Sequence, residues 1–143
     1  MNFYNKLSKM VFNKLENLYG DKIPNNIVKR VNSELDNLLD NNQSRLLLDI
    51  VNMNEYLNNK YKNEFIFVGT ICEWYISYLF GVTKVNPINI DYHTNIKVSL
   101  LLKEGIMDEV VNYLNEYFNN TIKVTSIISK EDLPFYHYLV IDH

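Results

Sequence analysis

The sequence predicts an α+β fold: an N-terminal three-helix segment, residues 1–63, followed by a small mixed sheet packed with two helices, residues 64–143. Three observations carry this. Apolar residues recur at three- and four-residue steps through the first part, the signature of amphipathic helices. The second part holds short β-branched and apolar runs at Phe65–Val68, Ile96–Leu102, Thr121–Ser129 and Tyr136–Ile141, as strands do. Between those runs fall two stretches with helical spacing.

The first helix spans Phe3–Tyr19, with Phe3, Leu7, Met10, Val11, Leu15 and Leu18 on one stripe and Lys14 as a polar exception; Gly20 ends it, as glycine commonly does past a C-cap. Pro24 suits the first turn of a second helix, where its missing N–H costs nothing. That helix runs to about Leu39 with Ile27, Val31, Leu35, Leu38 and Leu39 inward, and Glu34 and Asp36 on the outer side. Asp40–Asn42 is a polar break, and Asn42 or Ser44 is a suitable cap for a third helix that ends near Lys62 and Asn63.

Phe65–Val68 is a continuous apolar run bounded by Glu64 and Gly69, consistent with a buried strand. Thr70–Phe80 reads as one helix, apolar on nearly every side, and such a helix is central to its fold. Thr70 is its expected N-cap and Glu73 the N3 residue of a capping box. Trp74 and Tyr78 are expected to be mostly buried. Val82–Thr94 is irregular, with Pro87 excluding helix. Ile96–Leu102 follows as a half-buried strand, then a helix over 106–118, turn residues Asn119 and Asn120, a third strand, a connection over Lys130–Pro134 and a last strand. The order is ααα-β-α-β-α-β-β, and no repeat or Gly/Ser-rich linker marks a second domain.

Composition narrows the function. With 143 residues, 47% hydrophobic and 22% charged, the chain fits one domain with a real core. A net charge of -3 and a pI near 5.6 argue against a dedicated nucleic-acid surface, which carries a basic excess; Lys29, Arg30, Lys60 and Lys62 are scattered among acidic neighbours. One cysteine, Cys72, permits neither an internal disulfide nor a cysteine-based zinc site. The amphipathic N-terminus lacks the apolar core of a secretory signal, and no apolar run approaches the roughly 20 residues of a membrane span. A cytoplasmic protein is expected.

Several segments together resemble one family. Leu18–Leu39 carries Tyr19, Gly20 and Pro24, then Arg30, Glu34 and Leu35 in an Arg-x-x-x-Glu-Leu pattern; Phe67-Val68-Gly69 ends a strand; Gly81-Val82-Thr83-Lys84-Val85-Asn86-Pro87 follows a loop; Asn95–Tyr117 spans a strand and a helix. In order and spacing these resemble the palm region of the bacterial C-family replicative DNA polymerases, the DNA polymerase III alpha subunits of PolC type, over about Leu18 to Ile128. The resemblance implies a polymerase-palm, nucleotidyltransferase-like fold. It also implies where chemistry would sit: a Gly-Ser loop after Gly69 that binds the triphosphate, and an Asp-x-Asp strand that holds metal.

The chain departs from the family at both places. Thr70-Ile71-Cys72-Glu73-Trp74 stands where the loop would be, about three residues shorter, and only Gly69 and Ser77 match. Bulky side chains block the close backbone approach that phosphate cradling needs, and Glu73 repels a phosphate. The positions matching the aspartates are Asn95 and Lys97. Two-metal phosphoryl transfer needs carboxylates; asparagine is a weak neutral ligand and a lysine ammonium excludes the metal. Asp91 supplies at most one carboxylate. At this length the fingers, exonuclease and PHP portions of the family have no room. The resemblance therefore implies a degenerate, truncated and catalytically inactive palm, with no cofactor and no metal.

Other candidates are weaker. His93, His137 and His143 with Asp91 and Asp142 form no shared ligand spacing. Cys72, in the first turn of its helix with His93 as base, has the outline of a nucleophile but fits a small buried thiol better. Tyrosines and Trp74 suit core and interface roles more than base stacking, for want of flanking basic residues. Tyr4, Tyr56 and Tyr61 form an expected exposed aromatic face, and Glu104, Asp108, Glu109 and Glu116 a solvated acidic one. Two functions follow: a non-catalytic interaction protein that binds a protein partner, with the replication machinery as the setting or a mobile element as the source, or a residual nucleotide- or nucleic-acid-binding domain of nucleotidyltransferase ancestry.

Overall fold

The computed structural model describes residues 2–103, 105–118, 123–129 and 136–142. Asn119, Asn120 and the Lys130–Pro134 connection lie outside them, as do Glu104 and His143. Helices α1 (Phe3–Tyr19), α2 (Asn25–Asp40) and α3 (Ser44–Lys60) form in succession. The Asn2 side chain caps α1 by accepting from the Tyr4 and Asn5 N–H groups at 2.8 and 3.3 Å. Asn42 takes a positive φ of 56° and Ser44 is buried as the first helical residue, so neither caps α3. Leu7, Val11 and Leu15 of α1 bury against Val31, Leu35 and Leu38 of α2 and Leu47, Ile50, Met53 and Leu57 of α3.

The second part is a four-stranded sheet of β1 (Phe65–Val68), β2 (Val98–Lys103), β3 (Lys123–Ser129) and β4 (Tyr136–Asp142) in the order β1-β2-β4-β3. All three pairings are antiparallel, so the expected mixed sheet is not formed. The strand directions make β2 and β3 parallel, with β4 inserted between them and helix α5 (Met107–Tyr117) crossing from one to the other. Phe67 pairs with Leu100 and Phe65 with Leu102, and by the alternation of side chains these four share the face that packs on the helices. Phe67, Leu100 and Leu102 are buried there. On the opposite face Ile66 is half exposed.

The expected helix over 70–80 is broken. Thr70–Glu73 is a single 3-10 turn, Trp74 is extended at φ −87°, ψ 130°, and a short helix α4 occupies Tyr75–Leu79. Its central position holds nonetheless: Trp74, Ile71 and Ile76 are fully buried and Tyr75 nearly so, while Tyr78 is half-buried. The expected tyrosine face also differs. Tyr61 is buried and donates its O–H to Glu109, and Tyr56 stacks on Tyr113 with ring centroids 3.6 Å apart. Those tyrosines join α3 to α5 rather than facing solvent. Among the described residues no helix is long and apolar enough to cross a membrane.

Trp74 fills the junction between α2, the 3-10 turn and the 87–93 loop. Its indole N–H donates to the His93 carbonyl at 3.1 Å, and its ring lies 4.7 Å from that of Tyr92. Trp74→Ala is expected to cost about 3–5 kcal/mol in chemical denaturation, as for a buried aromatic; a loss below about 1 kcal/mol contradicts the packing described.

Candidate functional site

Strand β1 ends at Gly69, whose φ is 111°. A Cβ there would sit 2.4 Å from the Lys97 carbonyl oxygen, so only glycine allows the two segments to approach so closely. The next residue ties them. The Thr70 hydroxyl donates to the Asn95 carbonyl at 2.8 Å and accepts from the Lys97 N–H at 2.7 Å, and the Ile71 N–H donates to the Lys97 carbonyl at 3.1 Å. Thr70 is therefore a clamp between segments, not the N-cap that its position suggests. Asn95 and Lys97 are brought against the Gly69 turn by their backbones, and their side chains are exposed. Ser77 is fully buried in α4, and its hydroxyl has no hydrogen-bond partner among the described residues.

The positive end of α4 is occupied from within. Glu34 projects from α2 and is fully buried, against the expectation that it lies outward. Its two carboxylate oxygens accept from the Tyr75 and Ile76 N–H groups at 2.7 and 2.9 Å. Arg30, one helical turn earlier, donates from Nε to the same carboxylate at 2.6 Å. The rest of its guanidinium reaches the Glu73 carbonyl at 2.8 Å and the Ile90 carbonyl at 2.6 Å, and it lies over the Tyr92 ring. Burial pushes the Glu34 carboxyl above the ordinary carboxylate range, while Arg30 and the two backbone N–H groups draw it down. A carboxylate so deep needs every one of those partners, because an uncompensated buried charge is costly.

This pair also explains the break in the helix. An unbroken helix would bond the Ser77 N–H to the Glu73 carbonyl, but Arg30 holds that carbonyl, and Glu34 holds the N–H groups of Tyr75 and Ile76. Glu73 does not close a capping box either. Its side chain accepts from the His93 N–H at 2.8 Å and bonds the His93 ring at 2.7 Å. Burial acts to raise the Glu73 carboxyl and the His93 bonds outweigh it, leaving it below its ordinary value.

Cys72 is not poised as a nucleophile. Burial raises its thiol, which stays protonated and donates to the Phe67 carbonyl at 3.2 Å. His93, the candidate base, is committed to Glu73. Among the described residues no three His, Cys, Asp or Glu side chains converge as a metal site; His137 and Asp142 are placed only as positions in β4, and Asp91 is exposed.

Two clefts flank the 81–85 loop. One, of about 300 Å³, lies between that loop and β1, with Asn54, Asn58, Phe65, Phe67, Val82 and Lys84 among its walls. The other, of about 510 Å³, lies between α1 and α4, where Leu18 and Tyr19 are exposed. No protein-family model, no curated protein and no solved structure matches the chain.

Sequence reasoning missed Glu34, although a signal was present. It falls three residues after Val31, seven after Ile27 and four before Leu38, inside the apolar stripe of α2, with a cation one turn before it. Glu34→Ala leaves Arg30 and two backbone N–H groups unpaired, and it is expected to lower unfolding stability by about 3–5 kcal/mol. Glu34→Gln keeps the shape and one acceptor and is expected to cost about half as much. Equal, small losses in urea titrations of both variants contradict the role given to the carboxylate. Gly69→Ala, blocked by the Lys97 carbonyl, is expected to cost more than about 1 kcal/mol, and a neutral result contradicts the clamp.

Proposed function

We propose that this chain is a non-catalytic binding protein: a palm-like module, related to a replicative DNA polymerase, that acts through protein contact. The observation that carries it is the carboxylate of Glu34 on the Tyr75 and Ile76 N–H groups. Helix starts that bind phosphate do so with free N–H groups and a favourable dipole. Here a protein anion fills that position, and it is locked in place by Arg30.

The positions that would carry the metal support the same conclusion. Asn95 and Lys97 stand beside the Gly69 turn, where the palm resemblance puts its aspartates, and neither can replace a metal-holding carboxylate. The scaffold is retained around them: Gly69 is kept by a steric requirement, and Thr70 clamps the two segments. A palm-like, nucleotidyltransferase-like frame without its chemistry fits a regulator or competitor in DNA replication, or a protein of a mobile element, working in the bacterial cytoplasm on the replication machinery.

The test is thermal denaturation with Mg²⁺ and each nucleoside triphosphate. A site filled at a hundred times its Kd adds about 2.7 kcal/mol, read as a rise of several degrees. No rise is expected. A rise of that size with any triphosphate overturns the proposal in favour of a residual nucleotide-binding domain. Affinity capture from a bacterial extract is expected to recover replication proteins.

A further inference from the structure

Strand β1 lies at one edge of the sheet and, among the described residues, pairs only with β2. The Lys103 N–H donates to the Glu64 carbonyl at 2.9 Å, which fixes the parity of the ladder: Glu64, Ile66 and Val68 turn their backbone groups toward β2. Phe65 and Phe67 therefore turn theirs to the free edge. The Phe67 carbonyl is taken there by Cys72, which confirms the direction. The Phe65 N–H, the Phe65 carbonyl and the Phe67 N–H have no partner among the described residues.

Those groups open into the cleft of about 300 Å³ between β1 and the 81–85 loop. On the same side Cys72 bonds the Phe67 carbonyl, and Thr83 is among the residues of the facing loop that line the cleft. Unpaired edge groups are a template for another strand, and strand addition to such an edge is an established mode of peptide recognition. Lys84 is the one charged side chain among the described residues that line the cleft, and it is exposed; it favours an acidic partner.

We propose that the free edge of β1 takes up an extended, acidic peptide segment of a partner protein, paired to Phe65 and Phe67 and held under the 81–85 loop. The segment offers alternating side chains, one set entering between Phe65 and Val82 and a carboxylate meeting Lys84. This rests on the binding-protein conclusion above and names the surface and the class of partner.

A phage-displayed library of random seven-residue peptides, selected on the intact chain, tests it. The enriched peptides are expected to alternate β-branched or aromatic residues with polar ones and to carry Asp or Glu. The strongest, synthesised and added to isotope-labelled protein, is expected to slow amide exchange at Phe65 and Phe67 at least about tenfold. Lys84→Glu, at an exposed site, is expected to weaken that peptide about fivefold without moving Tm. The proposal is overturned by failure to enrich any peptide, by protection confined to another surface, or by indifference to Lys84→Glu. It is also overturned if the same two amides become protected with rising protein concentration alone, alongside a dimer in sedimentation, since the edge is then closed by a second copy. Failure here with no nucleotide response removes this surface and leaves the non-catalytic conclusion; a nucleotide response with intact peptide binding does the reverse.

Discussion

The carboxylate of Glu34 is the constraint on which the centre of the molecule depends. It is fully buried, and it joins α2 to the start of α4 through two backbone N–H groups. Arg30 neutralises it and carries the connection onward to Glu73 and Ile90. From there Tyr92 extends it: its ring lies under the Arg30 guanidinium, and its hydroxyl bonds Ser33 and Asn37 of α2 at 2.5 and 2.6 Å. The helical and sheet-bearing parts are thus tied by a polar network that is fully buried at Glu34 and reaches the surface at Ser33 and Ile90. Such a network stabilises only if each member is satisfied, and here the bonds to the carboxylate come from Arg30 on α2 and from two successive backbone N–H groups of α4.

That network and the Gly69 clamp divide the labour. The clamp holds β1 to the chain just before β2, through Thr70 and the close approach of Gly69 to Lys97. The network then turns the chain from the 3-10 turn into α4 and anchors the 87–93 loop. Between the two anchors, Trp74 is fully buried. On the other side of β1 a cleft remains, where the sheet edge meets the 81–85 loop.

Much of the fold was legible in the sequence because it rests on local pattern. Three successive helices, the strand at Phe65–Val68 and the order of the later elements follow from periodicity alone. The burial of Trp74 followed from a segment apolar on nearly every side. What failed was set by distant partners. The break at Trp74 arises because Arg30 and Glu34, about forty residues away, take main-chain groups that a helix would use. β1 runs antiparallel to β2 because of the path of the irregular chain between them, on which strand propensity is silent. The Arg-x-x-x-Glu-Leu pattern singled out both members of the central pair, yet Glu34 was expected on the outer side of its helix. Of the candidate site, Gly69, Thr70, Asn95 and Lys97 were named through the family resemblance, and the structure joins Thr70 to the backbones of Asn95 and Lys97; the internal anion was not foreseen.

Glu34 acts as a resident anion, and this can be measured by replacing it with a free one. In Glu34→Ala, the denaturation midpoint is followed against formate concentration, with chloride holding ionic strength constant. The account predicts a saturable, formate-specific rise in the variant and none in the unaltered chain, as a small carboxylate refills the place beside Arg30 and the Tyr75 and Ile76 N–H groups. A variant that responds to formate and chloride alike would contradict it.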